Sequence, residues 1–203
     1  DGHITSAYDI ALMSRELLSK HPDITEYTTI YMDSLRDGKS ELVNTNKLIR
    51  TYNGITGLKT GSTSLALYNL SASATRDDLS LIAIIMKAPT TKLRFAEAQK
   101  LLDYGFSNYS YIKLGDNGDT VKSVPISKGI ETNINATVEN TSGVLIPKGK
   151  EKQIEQNVFV QDNLSAPVYK GQKVGEITYT LNGETLDIID LVASSDVESI
   201  GMR

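Results

Sequence analysis

Apolar positions along the chain follow first a helical and then a strand period. Ile10, Met13 and Leu17 recur at 3.6-residue spacing, and Ser6 with Asp9 forms a capping box ahead of them. A first helix is therefore expected after Thr5 or Ser6, stopping at His21-Pro22. Tyr27 to Met32 reads as a strand and Asp37-Gly38 as a turn, and the segment Glu41 to Tyr52 closes on Asn53-Gly54. From Ile55 the period is that of strands. Ile55 to Thr60, Leu67 to Ala74 and Leu79 to Met86 predict three neighbouring antiparallel strands, the last two joined tightly at Asp77-Asp78. A long helix should follow from Thr91, with Leu93, Phe95, Ala96, Leu101, Leu102 and Tyr104 on one broad apolar face and Gly105 as its C-terminal cap.

After Phe106 the composition turns to Asn, Thr, Val, Ile, Gly and Lys in short alternating segments, the pattern of a small all-β module. Its clearest unit is a hairpin, Lys173 to Leu181 and Thr185 to Val192, turning at Asn182-Gly183, where Asn-Gly favours the geometry that matches strand twist. The boundary falls within 107–112, dividing the chain into residues 1–108 and 109–203. The expected fold class is mixed α/β (α+β): an antiparallel sheet with flanking helices, followed by a small all-β domain.

A net charge of -4, a pI near 5.3 and no basic run exclude a nucleic-acid surface, which needs clustered Lys and Arg. The chain has no cysteine, so disulfides, thiolate metal sites and thiol nucleophiles are ruled out. With only His3 and His21, no metal site is expected and no cofactor is implied. No apolar run approaches the ~18 residues of a membrane span, and the N-terminus lacks the basic and apolar regions of a signal peptide. Any export signal is expected outside these residues.

One triplet carries chemistry. Lys59-Thr60-Gly61 lies on a predicted strand, where Lys59 and Gly61 point to one side and Thr60 to the other. Gly61 has no Cβ, so a substrate backbone can approach and pair with the strand as an added strand. The backbone N–H of Ser62 is placed to donate to an oxyanion, and an ammonium and a hydroxyl are the groups that hold a substrate's C-terminal carboxylate. Such a triplet forms one wall of the site in serine acyltransferases that recognise penicillin. Alone it is a weak signal, and its bland reading is a surface strand entering a turn.

Its surroundings sharpen the reading. The run Asn44 to Thr63 closely resembles the serine D-alanyl-D-alanine carboxypeptidases, the low-molecular-mass penicillin-binding proteins. Asp1 to Asp9 resembles the family's segment after its Ser-x-Asn motif, Leu70 to Arg76 the strand after the triplet, and Glu97 to Phe106 the helix closing the catalytic domain. These four blocks stand in the family's order. The resemblance implies a partial penicillin-binding, β-lactamase-like domain over residues 1–108. It also implies cleavage of the terminal D-alanine from peptidoglycan stem peptides through an acyl-serine, with β-lactams as inhibitors. By the same resemblance Lys59 looks like the triplet lysine serving the proton network and the carboxylate, Thr60 like the hydroxyl that binds that carboxylate, and Ser62 like the residue giving an oxyanion N–H. Arg94 falls where the family can place an arginine near the carboxylate pocket; its default reading is a surface helix arginine.

The departures from the family are as informative. The Ser-x-x-Lys nucleophile motif and the Ser-x-Asn motif would both precede Asp1. The literal match Ser110-Tyr-Ile-Lys113 is a decoy, since 19 serines and 15 lysines give about one such match by chance, and it follows the triplet instead of preceding it. The chain alone is therefore expected to be inactive. An unpaired sheet edge is expected to be covered by an N-terminal fragment or by another copy of the chain.

His3 reads as a polar residue entering a helix, and His21 as a helix stop. The tyrosines read as core-edge packers with hydroxyls in water. Asp77-Asp78 and Asp116 to Asp119 sit in turn contexts, so carboxylate-pair catalysis is not expected. Gly54 to Ser62 is no phosphate loop, because Lys-Thr precedes its glycine. Two rivals stay open at this level: a β-lactamase of the same superfamily, against which the trailing β module speaks, and a non-catalytic cell-envelope module. An extracytoplasmic, membrane-associated location in the bacterial envelope is what the resemblance implies.

Overall fold

The computed structural model describes residues 2 and 4–201, so the expectation for His3 lies outside the described residues. Contacts divide the chain into two compact units, the first ending at Tyr109 and the second beginning at Ser110.

Helix α1 (Ala7–Lys20) opens the first unit. Its capping box is formed: the Asp9 N–H donates to Ser6 Oγ (3.1 Å) and the Ser6 N–H to Asp9 Oδ2 (2.9 Å), satisfying donors at the helix start. His21 is its C-cap. The strand expected at Tyr27 to Met32 is not there. One helical turn, α2 (Ile24–Thr28), occupies its first part, and the strand β1 (Met32–Leu35) begins only at Met32, paired with β2 (Ser40–Val43). Pro22 favours the first helical turn that follows it, and Thr25 Oγ1 donates back to the Pro22 carbonyl (2.8 Å), so local closure overrides the β-prone composition. The Glu41 to Tyr52 segment resolves into β2 and a second short helix, α3 (Leu48–Thr51).

A three-stranded antiparallel meander forms the centre: β3 (Ile55–Thr63), β4 (Leu67–Arg76) and β5 (Leu79–Ala88), in that order across the sheet. Asp77 and Asp78 both adopt positive φ (47° and 63°), the pairing that a tight twisted hairpin requires. Helix α4 (Thr91–Asn108) packs across β4 and β5, capped by Thr90 Oγ1, which accepts from the Leu93 N–H at 3.1 Å.

Two expectations for α4 fail. The buried stripe is Arg94, Phe95, Ala98, Leu102, Gly105 and Phe106, whereas Leu93, Leu101 and Tyr104 are exposed. Gly105 does not end the helix, which runs on to Asn108. A Cβ at Gly105 would sit 2.4 Å from Leu81 Cδ1, so the glycine allows α4 to lie close on β5.

Among its described residues the second unit is β apart from a single 3-10 turn at Glu151–Gln153. Strands β6 (Tyr109–Gly115) and β9 (Ser142–Pro147) form a ribbon. The main sheet has the order β10-β12-β13-β8-β7-β11, built from β7 (Thr120–Ser127), β8 (Asn133–Val138), β10 (Ile154–Val160), β11 (Leu164–Ser165), β12 (Lys173–Leu181) and β13 (Glu184–Ala193). Its inward residues Val124, Ala136, Val174, Ile177 and Leu191 are almost fully buried in one core, as period-two patterning demands. Asn182 and Gly183 take positive φ (52° and 82°) between β12 and β13. Ser110 and Lys113 lie on β6, three apart on a strand and hence on opposite faces; Ser110 Oγ donates to Glu151 and Lys113 pairs with Asp116.

Candidate functional site

The triplet lies on β3, an edge of the described meander. Lys59 pairs across the sheet with Ser71, Thr60 with Leu70, Gly61 with Asn69 and Ser62 with Tyr68. Residues opposite one another share a face, so the two faces can be told apart. Ser71 Oγ meets Ser14 Oγ of α1 at 2.8 Å, which puts Lys59 on the α1 face. Tyr68 lies under the Arg94 guanidinium (5.6 Å to the ring), which puts Ser62 and Thr60 on the α4 face.

On the α1 face Lys59 is exposed, and its Nζ donates to the Thr60 carbonyl (2.5 Å). Beside it an apolar groove of about 420 Å³ runs between α1 and the sheet, lined by Ile10, Met13, Leu17, Leu58, Ile84 and Met86 among others. Gly61 opens on free space: a Cβ there would meet nothing within 4 Å, and its φ is not positive. Nothing among the described residues requires glycine at 61, and the missing side chain leaves this part of the rim clear.

On the α4 face Thr60 is 9 % exposed, and its Oγ1 lies 2.6 Å from Thr45 Oγ1. Arg94 is not the surface arginine of its default reading. It is 5 % exposed, with Nη1 donating to the carbonyls of Asn69 (3.1 Å) and Gly61 (3.5 Å), while its Nε has no partner among the described residues. Burial pushes the guanidinium below its ordinary value, and among the described residues the titratable group acting on it is Tyr68, which raises it. The strand therefore has a cation on each face, and among the described residues the buried one is matched by neutral acceptors and by the rings of Phe95 and Tyr68.

Sequence reasoning assigned no role to the residues that hold β3 in place. Asn44 Nδ2 donates to the carbonyls of Thr28 (3.1 Å) and Ile30 (2.9 Å), and its Oδ1 accepts from the Asn46 N–H (2.9 Å). Asn46, 1 % exposed, spans from the Gly57 carbonyl (3.2 Å) to the Leu48 N–H (3.2 Å). Thr28 Oγ1 donates to the Thr56 carbonyl (2.5 Å). The only local signal was an Asn-Thr-Asn stretch before a helix, where such side chains bond nearby backbone.

Sheet, strand and trailing β unit together define the class: a mixed α/β unit built on an antiparallel meander, followed by a β unit. Comparison with known proteins narrows it. The family described as D-alanyl-D-alanine carboxypeptidase matches residues 1–90, and the one described as penicillin-binding protein 5, C-terminal domain, matches residues 109–199. The chain is 39% identical over 205 residues to D-alanyl-D-alanine carboxypeptidase DacF of Bacillus subtilis, covering 99% of this chain and 52% of that one. It is 32% identical to DacC of Escherichia coli, covering 98% and 50%. Among solved structures, penicillin binding protein 5 from Haemophilus influenzae superposes with a TM-score of 0.76 at 30% identity, covering 96% of this chain and 57% of that one. The matches over residues 1–90 and 109–199, together with these relatives, support a fragment of a low-molecular-mass penicillin-binding protein. The chain spans about half the length of the curated relatives it matches.

Proposed function

We propose that this chain supplies the carboxylate-binding wall and the accessory β domain of a serine carboxypeptidase that removes the terminal D-alanine from peptidoglycan stem peptides. The observation that carries this is Arg94, a cation buried against β3 whose Nε has no partner and which has no titratable partner but Tyr68 among the described residues. A buried guanidinium without a counter-ion is costly to keep, and an incoming carboxylate beside Thr60 offsets that cost.

A stem peptide ending in D-Ala-D-Ala lies along the open edge of β3. Its carboxylate takes up the Thr60 hydroxyl with Arg94 behind it, Gly61 leaves room for its backbone, and the Ser62 N–H donates to the oxyanion. Lys59, on the other face, serves the proton network of the attacking serine. That serine's Oγ adds to the penultimate carbonyl, and the amide C–N bond breaks. D-alanine then leaves with the proton that the serine gave up, and water hydrolyses the acyl-serine. The serine, its lysine and the Ser-x-Asn motif come from a part of the relatives' length outside these residues. The apolar groove between α1 and the sheet seats that part or, in its absence, a second copy of the chain. β-Lactams acylate the same serine, no cofactor takes part, and the reaction belongs to the bacterial envelope. No helix among the described residues is long and apolar enough to cross a membrane.

The test is labelling by a fluorescent penicillin. A form extended upstream to the relatives' full length should be labelled, these 203 residues alone should not, and Lys59→Ala in the extended form should slow acylation by about 10²-fold. Label mapped to any serine of this chain, or acylation unchanged in Lys59→Ala, refutes the reading.

A further inference from the structure

We infer that Thr45 is a positioning residue for Thr60, the two hydroxyls acting as one hydrogen-bonded unit that presents a single outward proton to the substrate carboxylate. The inference rests on the carboxylate reading of Thr60 given above and extends it to a residue outside the triplet.

Thr45 Oγ1 and Thr60 Oγ1 are 2.6 Å apart, and either can be the donor. A hydroxyl has one proton, so the pair holds one proton between its oxygens and has one left to give. Thr60 is buried on the α4 face of the strand, where Arg94 supplies positive charge; Thr45 is exposed, on the loop between β2 and α3. An anion arriving at Thr60 selects the arrangement in which Thr45 donates to Thr60 and Thr60 donates outward. In that direction the bonds polarise one another, so the hydroxyl facing the anion is a stronger donor than an isolated one.

The loop holds Thr45 firmly on both sides. Asn44 is tied to Thr28 and Ile30, and Asn46 to Gly57 and Leu48. Those four bonds fix the chain immediately before and after Thr45, and Asn46 anchors it to β3 itself two residues before Lys59. The short Thr–Thr contact is thus a built feature of the strand's support and no incidental meeting of surface side chains.

The experiment uses the form extended to the relatives' length and compares kcat/KM for a diacyl D-Ala-D-Ala peptide with that for its C-terminal amide. The ratio within one preparation is independent of the active fraction. Cooperative strengthening of about 10–30% on a charged hydrogen bond predicts that Thr45→Val lowers the acid-over-amide preference by about 1.3- to 5-fold. Thr45→Ser should keep it, and Thr45→Val/Thr60→Val should be no worse than Thr60→Val alone, because residues acting as a unit are non-additive. Should Thr45→Val not fold, Thr45→Ala gives the same ratio. An unchanged preference, an equal fall for acid and amide, or additive losses in the double variant would overturn the inference. If Thr60→Val itself leaves the preference intact, the carboxylate reading falls first and this inference with it.

Discussion

Replacing Arg94 by methionine separates a cation kept for function from one kept for the fold. When one partner of a buried ion pair is removed, the other charge is stranded, and stability falls by about 3–5 kcal/mol. Arg94 strands nothing of that kind. Its recorded partners are the carbonyls of Asn69 and Gly61, the second at the 3.5 Å limit of a hydrogen bond, and the rings of Phe95 and Tyr68 at 4.7 and 5.6 Å. Losing them costs about 1–3 kcal/mol for an orphaned carbonyl and about 0.5–1 kcal/mol for each ring contact. Against this stands relief from burying a guanidinium whose Nε is unsatisfied, an effective penalty of several kcal/mol. Methionine also fills the stem's volume with a flexible apolar chain. The two sides are of similar size, so Arg94→Met in the extended form should unfold in urea within about 1 kcal/mol of the parent. Its acid-over-amide preference should meanwhile fall by about tenfold or more, the worth of a charged hydrogen bond. A loss of about 3–5 kcal/mol with the preference intact would refute the reasoning and make Arg94 a structural residue.

Two further predictions concern the fold. A Cβ at Gly175 would lie 2.3 Å from the Phe159 carbonyl oxygen and 3.0 Å from Val160 Cα, both backbone atoms of β10, so β10 and β12 would have to separate. Gly175→Ala should cost about 1–3 kcal/mol, or a melting temperature about 4–8 °C lower per kcal/mol for a unit of this size; calorimetry showing no shift would contradict it. Burial, then the hydrogen bond its hydroxyl donates to Asp103 Oδ1 (2.7 Å), pushes Tyr52 up to about 12. Because its folded value lies above the ordinary 10, the stabilisation it gives is complete below pH 10 and lost as pH rises towards 12. Tyr52→Phe should flatten this part of the alkaline decline and remove one late-titrating phenol from the absorbance near 295 nm. An unchanged alkaline profile would count against the assignment.

What could be read from the sequence was what local chemistry fixes. Helix α1 carries its own capping box, the Asp77-Asp78 and Asn182-Gly183 turns carry their own left-handed residues, and the meander strands are marked by apolar, β-prone runs bounded by turn residues. Features set by distant contacts were misread. Gly105 looked like a cap because its reason, the closeness of Leu81, lies 24 positions away on another element, and the Tyr52 hydroxyl bonds Asp103 where exposure to water was expected. Tyr27 to Met32 has strand composition, yet the turn that Pro22 begins takes its first half.

Arg94 is a different case: the resemblance put it near a carboxylate pocket, and its burial overturns only the default reading of a surface arginine. Every pattern rule sends an arginine amid apolar helix positions to the surface, and the chain instead buries it against the strand that carries Lys59, Thr60 and Gly61. A sequence that agrees with itself at the level of caps, turns and periodicity, yet buries a cation with no acidic partner among the described residues, departs from the folding rules at the strand where the proposed function puts a carboxylate. Folding alone would favour methionine or leucine at 94. That the guanidinium is retained is therefore an argument for a ligand of opposite charge.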